Sequence, residues 1–336
     1  MKNWRTSSIP QHKTGTTASV LVGLVLLAAL LNLCLGAETI PPGTVGRVLT
    51  GGESGTVAFR IIRYVRLPRA CACLLTGAAL AASGTIIQGV LSNALAAPST
   101  IGVNAGAGLM VAVCCAVAPS AVTLVPYAAL LGGFLGVSLV LFIAERTGAS
   151  KITLVLAGVA VSSIFSAGID AVITFVPDAL NGYSDFRIGG FSGVSMSKIA
   201  PAVWPIALSF AAALSLHNEM DILMLGTEQA QSLGVSAKKL RLLVLMLAAV
   251  MAGAAVSISG LIGFVGLIVP HIMRRLVGEE SGPLLVTSAL GGAALLGFCD
   301  LLARMLFAPF ELPVGIVMAL VGGPFFIWLL QRRGHS

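Results

Sequence analysis

Residues able to do chemistry are sparse in this chain. A phosphate-binding G-x-x-x-x-G-K-[ST] loop closes backbone N–H groups on a phosphate and adds a lysine to meet its charge. No such loop occurs in the 336 residues, and no lysine directly follows a glycine. Nothing of that kind can cradle a nucleotide. Acids and bases inside apolar runs are the usual parts of a proton relay, and here they reduce to Asp170 and Asp300, each near the end of its run, where snorkelling or packing accounts for it equally well. His271 follows Pro270 with no second histidine to help it, which suits a helix-end hydrogen-bonding residue better than a metal ligand or proton carrier. The six cysteines (Cys34, Cys71, Cys73, Cys114, Cys115 and Cys299) lie in apolar stretches away from histidine and read as small buried hydrophobes. With no convergent acid, base and nucleophile, the sequence predicts no enzyme, no metal site and no cofactor bound by this chain.

Three other patterns carry information. Arg47, Arg60, Arg63, Arg66 and Arg69 crowd one stretch ahead of the second apolar run. Such crowding fits an acidic partner, and fits equally a solvated charge run or anchoring among lipid headgroups. In the polar segment from His217 to Arg241, Thr227 is able to cap a short helix starting at Glu228, and Gly234 to end it before Lys238, Lys239 and Arg241. A short amphipathic helix there would lie across a membrane face, either entering a cleft on another protein or serving as a plain connector. In the run from Gly260 to Arg275 the glycines allow helices to approach closely, and Pro270 is expected to kink or end its helix.

The elements that must hold these residues are membrane helices. The chain is 57% hydrophobic and only 10% charged, with a net charge of +7 and a mean hydropathy of +0.99; soluble domains carry about 25% charged residues. A helix crosses a bilayer with about 20 apolar residues, which leaves room for about ten spans and no soluble domain. Glycine is abundant at 39 residues and aromatics are scarce at 6%, as in helices packed through small side chains and unlike the aromatic girdles of a β-barrel. The fold class is therefore an all-α integral membrane protein. Hydropathy and breakers place spans near 17–36, 70–91, 101–118, 122–144, 152–176, 200–216, 240–260, 262–277, 283–307 and 314–331, with residues 1–16 as a cytoplasmic tail and 17–332 as one transmembrane domain. The links near 119–121 and 261 have almost no loop. With both termini cytoplasmic, 12 of the 20 lysines and arginines fall inside, so the orientation follows the positive-inside bias. The arginine crowd falls outside, against that bias.

Several blocks in order closely resemble the FecCD-type permease subunits of ABC importers for ferric siderophores, haem and cobalamin. They are Arg66-Leu-Pro-Arg69, Gly77-Ala-Ala-Leu with Gln88-Gly, Asn93-Ala-Leu-Ala-Ala-Pro98, Leu156-Ala-Gly-Val and Gly189-Gly-Phe-Ser-Gly193, then Leu225-Gly through Ser232-Leu-Gly234 and the Gly260 to Arg274 run, and finally Asp300-Leu-Leu-Ala-Arg304, Glu311-Leu-Pro-Val-Gly315 and Gly322-Gly-Pro324. The likeness spans about residues 40 to 332. It departs at Asn93-Ala94, where the family often has Asn-Pro, and at Phe186 and Arg187, where a tryptophan is frequent.

The resemblance implies a type II ABC importer permease working as a homodimer in the bacterial inner membrane, with two cytoplasmic ATPase subunits that use the ATP and an extracytoplasmic substrate-binding protein. Membrane lipid is expected around it and nucleic acid is not. The family's arginines that pair with glutamates on the binding protein correspond to Arg66, Arg69 and Arg304. Its ATPase-coupling helix corresponds to Gly226, Thr227, Glu228, Ser232, Leu233 and Gly234, and its cytoplasmic-side blocks include Asn93, Pro98, Pro270, His271 and Arg274. The expected cargo is a bulky chelate, ferric siderophore first, then haem, then cobalamin, passing along a mostly apolar, small-residue path. A self-contained secondary carrier or channel is the alternative.

Overall fold

A computed structural model describes residues 11–333 apart from 37, 53–54, 148–149 and 309. Lys2, Arg5 and the first ten residues of the expected tail lie outside the described residues, as do 334–336. The chain folds into helices throughout, with no strand among the described residues. In order these are α1 (Gln11–Cys34), α2 (Pro42–Leu49), α3 (Val57–Ile61), a π-helical turn (Ile62–Arg66), α4 (Leu67–Leu91), a 3-10 turn (Pro98–Ile101), α5 (Val103–Val117), α6 (Val125–Arg146), α7 (Lys151–Phe175) and α8 (Ala179–Ile188). They continue as α9 (Met196–Ser215), α10 (His217–Leu225), α11 (Thr227–Ser232), α12 (Ala237–Ser259), α13 (Val265–Val277), α14 (Ser281–Met305) and α15 (Val314–Arg333).

Each expected span coincides with a helix. Seven stretches are long and apolar enough to cross a membrane. Two of the other expected spans are shorter: α5 has 15 residues and α13 has 13. At 1.5 Å per residue, α13 extends only about 20 Å, short of a ~30 Å hydrocarbon core. The link before it is not the minimal hairpin expected at 261 but five irregular residues, Gly260 to Phe264. Phe264 sits in the left-handed region at φ 68°, with its ring over Gly322 of α15, where an added Cβ would come within 2.2 Å of the Phe264 ring. Pro270 neither ends nor interrupts α13, which continues to Val277.

The centre of the bundle is α4, flanked by α12, α13 and α14. Within their apolar windows 78% of α4, 72% of α12 and 78% of α14 is buried, against 28% of α1, α7 and α9, so the latter three form the periphery. Glycine explains how the central helices meet. An added Cβ at Gly84 would stand 1.9 Å from the Gly266 carbonyl oxygen, and one at Gly77 would stand 2.2 Å from that of Gly292. Backbone therefore rests on backbone, the contact that small residues permit in lipid, where apolar burial alone drives little association.

Candidate functional site

At one end of α4 the arginines are set by a proline. Pro68 cannot donate to the carbonyl four residues back, and its ring crowds that oxygen, so the preceding turn widens to π geometry with the Leu67 N–H donating to the Ile62 carbonyl. Arg66 and Arg69 then both point inward and are buried. Arg66 donates from Nη1 to the carbonyls of Leu33 and Cys34, each at 2.8 Å, and from Nη2 to that of Glu38. Arg69 grips Asp300 through Nε (3.0 and 3.2 Å) and Nη2 (3.0 Å), while its Nη1 meets Glu311 Oε2 at 2.6 Å. Arg304 reaches Asp300 Oδ2 at 3.4 Å one helical turn away and donates to the Asn32 side-chain oxygen. The structure thus brings together the three arginines the sequence singled out, but as a buried network joining α1, α4 and α14. The exposed charges that docking supposed are absent at these three positions, because burying a guanidinium requires a carboxylate or carbonyls around it. Arg60 and Arg63, one turn earlier, remain exposed.

The opposite end, about 37 Å away along the 25 residues of α4, carries α10 and α11. Most of the segment expected as a loop is helical. The short helix starts at Thr227 rather than Glu228, and Gly226 at φ 127° occupies the cap position expected of Thr227. The Thr227 hydroxyl instead accepts from Arg241 Nη2 at 3.4 Å. Gly234 at φ 79° follows the helix end, as its type predicted. Thr227, Glu228, Ser232, Leu233 and Gly234 are exposed, Leu233 by 62%, while Ala230 anchors the turn in the core. Nearby, Arg274 donates to the Gln88 side-chain oxygen, whose amide donates to the Gly266 carbonyl at 3.0 Å, and His271 sits edge-on to Phe325. The Asn93 side chain accepts from the Leu95 N–H at 3.0 Å, and Pro98 is buried at the start of the 3-10 turn.

Between the two ends, peripheral α7 carries a mostly apolar groove of about 590 Å³ into which Ser162, Ser163, Ser166 and Asp170 introduce polar groups, with Ser99 and Thr100 at one margin. Spacings of three and four put these α7 residues on one helical face, and Asp170 at its far end is exposed. Hydroxyls and a carboxylate on such a face suit water or another chain, not lipid.

Residues 24–332 match the FecCD transport family. The chain is 36% identical to the hemin transport system permease protein HmuU of Yersinia pestis, over 92% of this chain and 94% of that one. It is 37% identical to the iron(3+)-hydroxamate import system permease protein FhuB of Bacillus subtilis, over 99% and 88% of the two chains. It is also 37% identical to the Fe(3+) dicitrate transport system permease protein FecD of Escherichia coli, over 90% and 94%. The chain belongs to the FecCD transport family.

A solved inward-facing structure of a metal-chelate type ABC transporter superposes with a TM-score of 0.85 at 29% identity, covering 95% of this chain and 99% of that one. As a FecCD family member the chain is a transport permease rather than an enzyme, and its all-α membrane fold is that of an ABC importer permease. Among the described residues no group of three or more His, Cys, Asp or Glu is placed to hold a metal ion. Asn32 belongs to none of the sequence motifs, yet its amide donates to the carbonyls of Ala28 (2.8 Å) and Gly297 (3.0 Å) while its oxygen receives Arg304. Its signal was present: a single amide within the apolar run from Val20 to Cys34. The α7 serines leave no mark in the sequence pattern because hydroxyls barely change hydropathy.

Proposed function

We propose that this FecCD family chain is the membrane subunit of an ATP-driven importer that carries an iron chelate, ferric siderophore first and haem second, from an extracytoplasmic binding protein into the cytoplasm of a bacterium. What carries the reading is the family match over residues 24–332 in a chain that has no phosphate loop of its own. The relatives named above handle hemin, ferric hydroxamate and ferric dicitrate by their names, three chelates of different shape, and cobalamin has no such support among them. Two copies of the chain would line one path, and the exposed Asp170 on the serine-bearing face of α7 supports this, since a second copy or an aqueous path can solvate a carboxylate that lipid cannot. The exposed α11 helix would seat in a cleft of each of two ATPase subunits. The arginine end would face the binding protein, with both termini in the cytoplasm and the chain in the inner membrane.

In this mechanism a loaded binding protein docks outside, ATP closes the ATPase pair, and the closure reaches α12 through α11. Helix bundles then rock about the interface to expose the path alternately to either side. Reconstitution tests it. Uptake of a ferric chelate into proteoliposomes is expected to need the binding protein, the ATPase and ATP together. Uptake by this chain alone would overturn the reading in favour of a secondary carrier or channel.

A further inference from the structure

The three buried arginines raise a question of access. Asp300, which holds Arg69 and Arg304, is fully buried, so no carboxylate from outside reaches those contacts. Arg66 is committed to three backbone carbonyls, and Arg304 is held by Asn32 as well as Asp300. One guanidinium edge is different. Nη1 of Arg69 meets Glu311, whose side chain is 44% exposed, so this pair has a carboxylate partner that water, or another protein, can approach.

We infer that Glu311 is an internal stand-in for a carboxylate of the docking partner: it occupies Arg69 in the free permease and is exchanged for an acidic side chain of the binding protein when that protein docks. The inference rests on the function proposed above and names the contact through which docking is felt. The exchange is balanced in charge, since Arg69 trades one carboxylate for another and keeps its two-point grip on Asp300 throughout. Its effect also has a route away from the site. Glu311 lies in the link between α14 and α15, where the Leu312 N–H donates to the Ala303 carbonyl at 3.1 Å and the Gly315 N–H to the Gly189 carbonyl at 3.1 Å. That link is fitted without slack, because a Cβ on Gly315 would stand 1.9 Å from the Ile188 carbonyl oxygen. A change at Glu311 is therefore passed to the start of α15, whose far half lies against α13 through Phe325 and His271. Docking at one end would be reported along α15 toward the other.

The test uses the complete transporter with its ATPase subunits in lipid nanodiscs and a purified binding protein that supports ATP-dependent uptake through it. Affinity is read at several salt concentrations. Glu311→Gln removes the competitor and is expected to tighten binding about fivefold, the scale of one partly exposed ion pair. Glu311→Asp keeps the charge but withdraws the carboxylate by one methylene, and is also expected to bind tighter than wild type. Asp185→Asn, the loss of an exposed carboxylate on α8, is expected to change little. The inference is overturned if Glu311→Asp binds like wild type, if Asp185→Asn matches Glu311→Gln, or if both Glu311 variants bind more weakly while their thermal unfolding is unchanged. Absence of any association or ATP dependence in wild type would instead overturn the proposed function.

Discussion

Asp300 is the residue on which the charged end of the bundle depends. It is fully buried, accepts hydrogen bonds from Arg69 and forms an ion pair with Arg304, so Asp300→Asn would leave Arg304 without a carboxylate and Arg69 with only the partly exposed Glu311. Breaking one side of a buried ion pair costs about 3–5 kcal/mol. Asp300→Asn is therefore expected to lower the thermal unfolding midpoint in detergent far more than Glu311→Gln, which leaves Arg69 paired; equal shifts would mean that Asp300 is not the keystone. The sequence marked these arginines by their crowding and by family likeness, and marked Asp300 as an intramembrane acid. It did not mark their pairing, because Arg69 and Asp300 stand 231 residues apart and pattern within a window carries no information about such contacts. Exposure was misjudged for the same reason: a basic run looks solvated until its partners arrive from elsewhere.

At the scale of elements, two glycines in the central helices make a controlled pair. A methyl at Gly84 would collide with the Gly266 carbonyl at 1.9 Å, whereas at Gly253 of α12 the nearest atom would be 3.9 Å away. Gly84→Ala is expected to destabilise the bundle strongly by forcing α4 and α13 apart, and Gly253→Ala to be neutral or slightly stabilising, as helical Gly→Ala changes are where space allows; thermal unfolding of the two variants decides. Gly226 is a backbone case. At φ 127°, with Gln229 Oε1 2.5 Å from an added Cβ, Gly226→Ala is expected to shift α11 and weaken co-purification with the ATPase subunit while the membrane bundle stays folded. The long helices were legible because apolar runs declare themselves by length. The short α2, α8 and α10 were not, since polar stretches read as loops until packing gives them a buried face. The left-handed turn at Phe264 was hidden as well, because Gly263 beside it is the more obvious residue for such a backbone and does not take it.

For the whole molecule, exposure must be sorted by solvent. Ser166 on α7 and Phe134 on α6 are both exposed in one copy of the chain, yet the first lines a groove that carries serines and Asp170 and the second a groove with almost no polar lining. In membranes containing the assembled transporter, Ser166→Cys is expected to react with a water-soluble thiol reagent and Phe134→Cys is not; reaction at both positions, or at neither, would remove the groove as the aqueous path. The six native cysteines would first be replaced, since Cys71 is itself exposed. The long separation of Arg69 from Asp300 also bears on how the protein is made. Ribosomes add roughly 5–20 residues per second, so the 231 residues between them take on the order of 10–50 s to appear. During that interval Arg66 already has the carbonyls of Leu33, Cys34 and Glu38, whereas Arg69 of α4 is in the membrane without Asp300 or Glu311. Its long side chain must wait with the charged head at the lipid headgroups. The closing of the ion network is thus a late event of biogenesis, and a chain that stalls before α14 would be left with unmatched charge at the membrane surface, a mark by which quality control could recognise an unfinished permease.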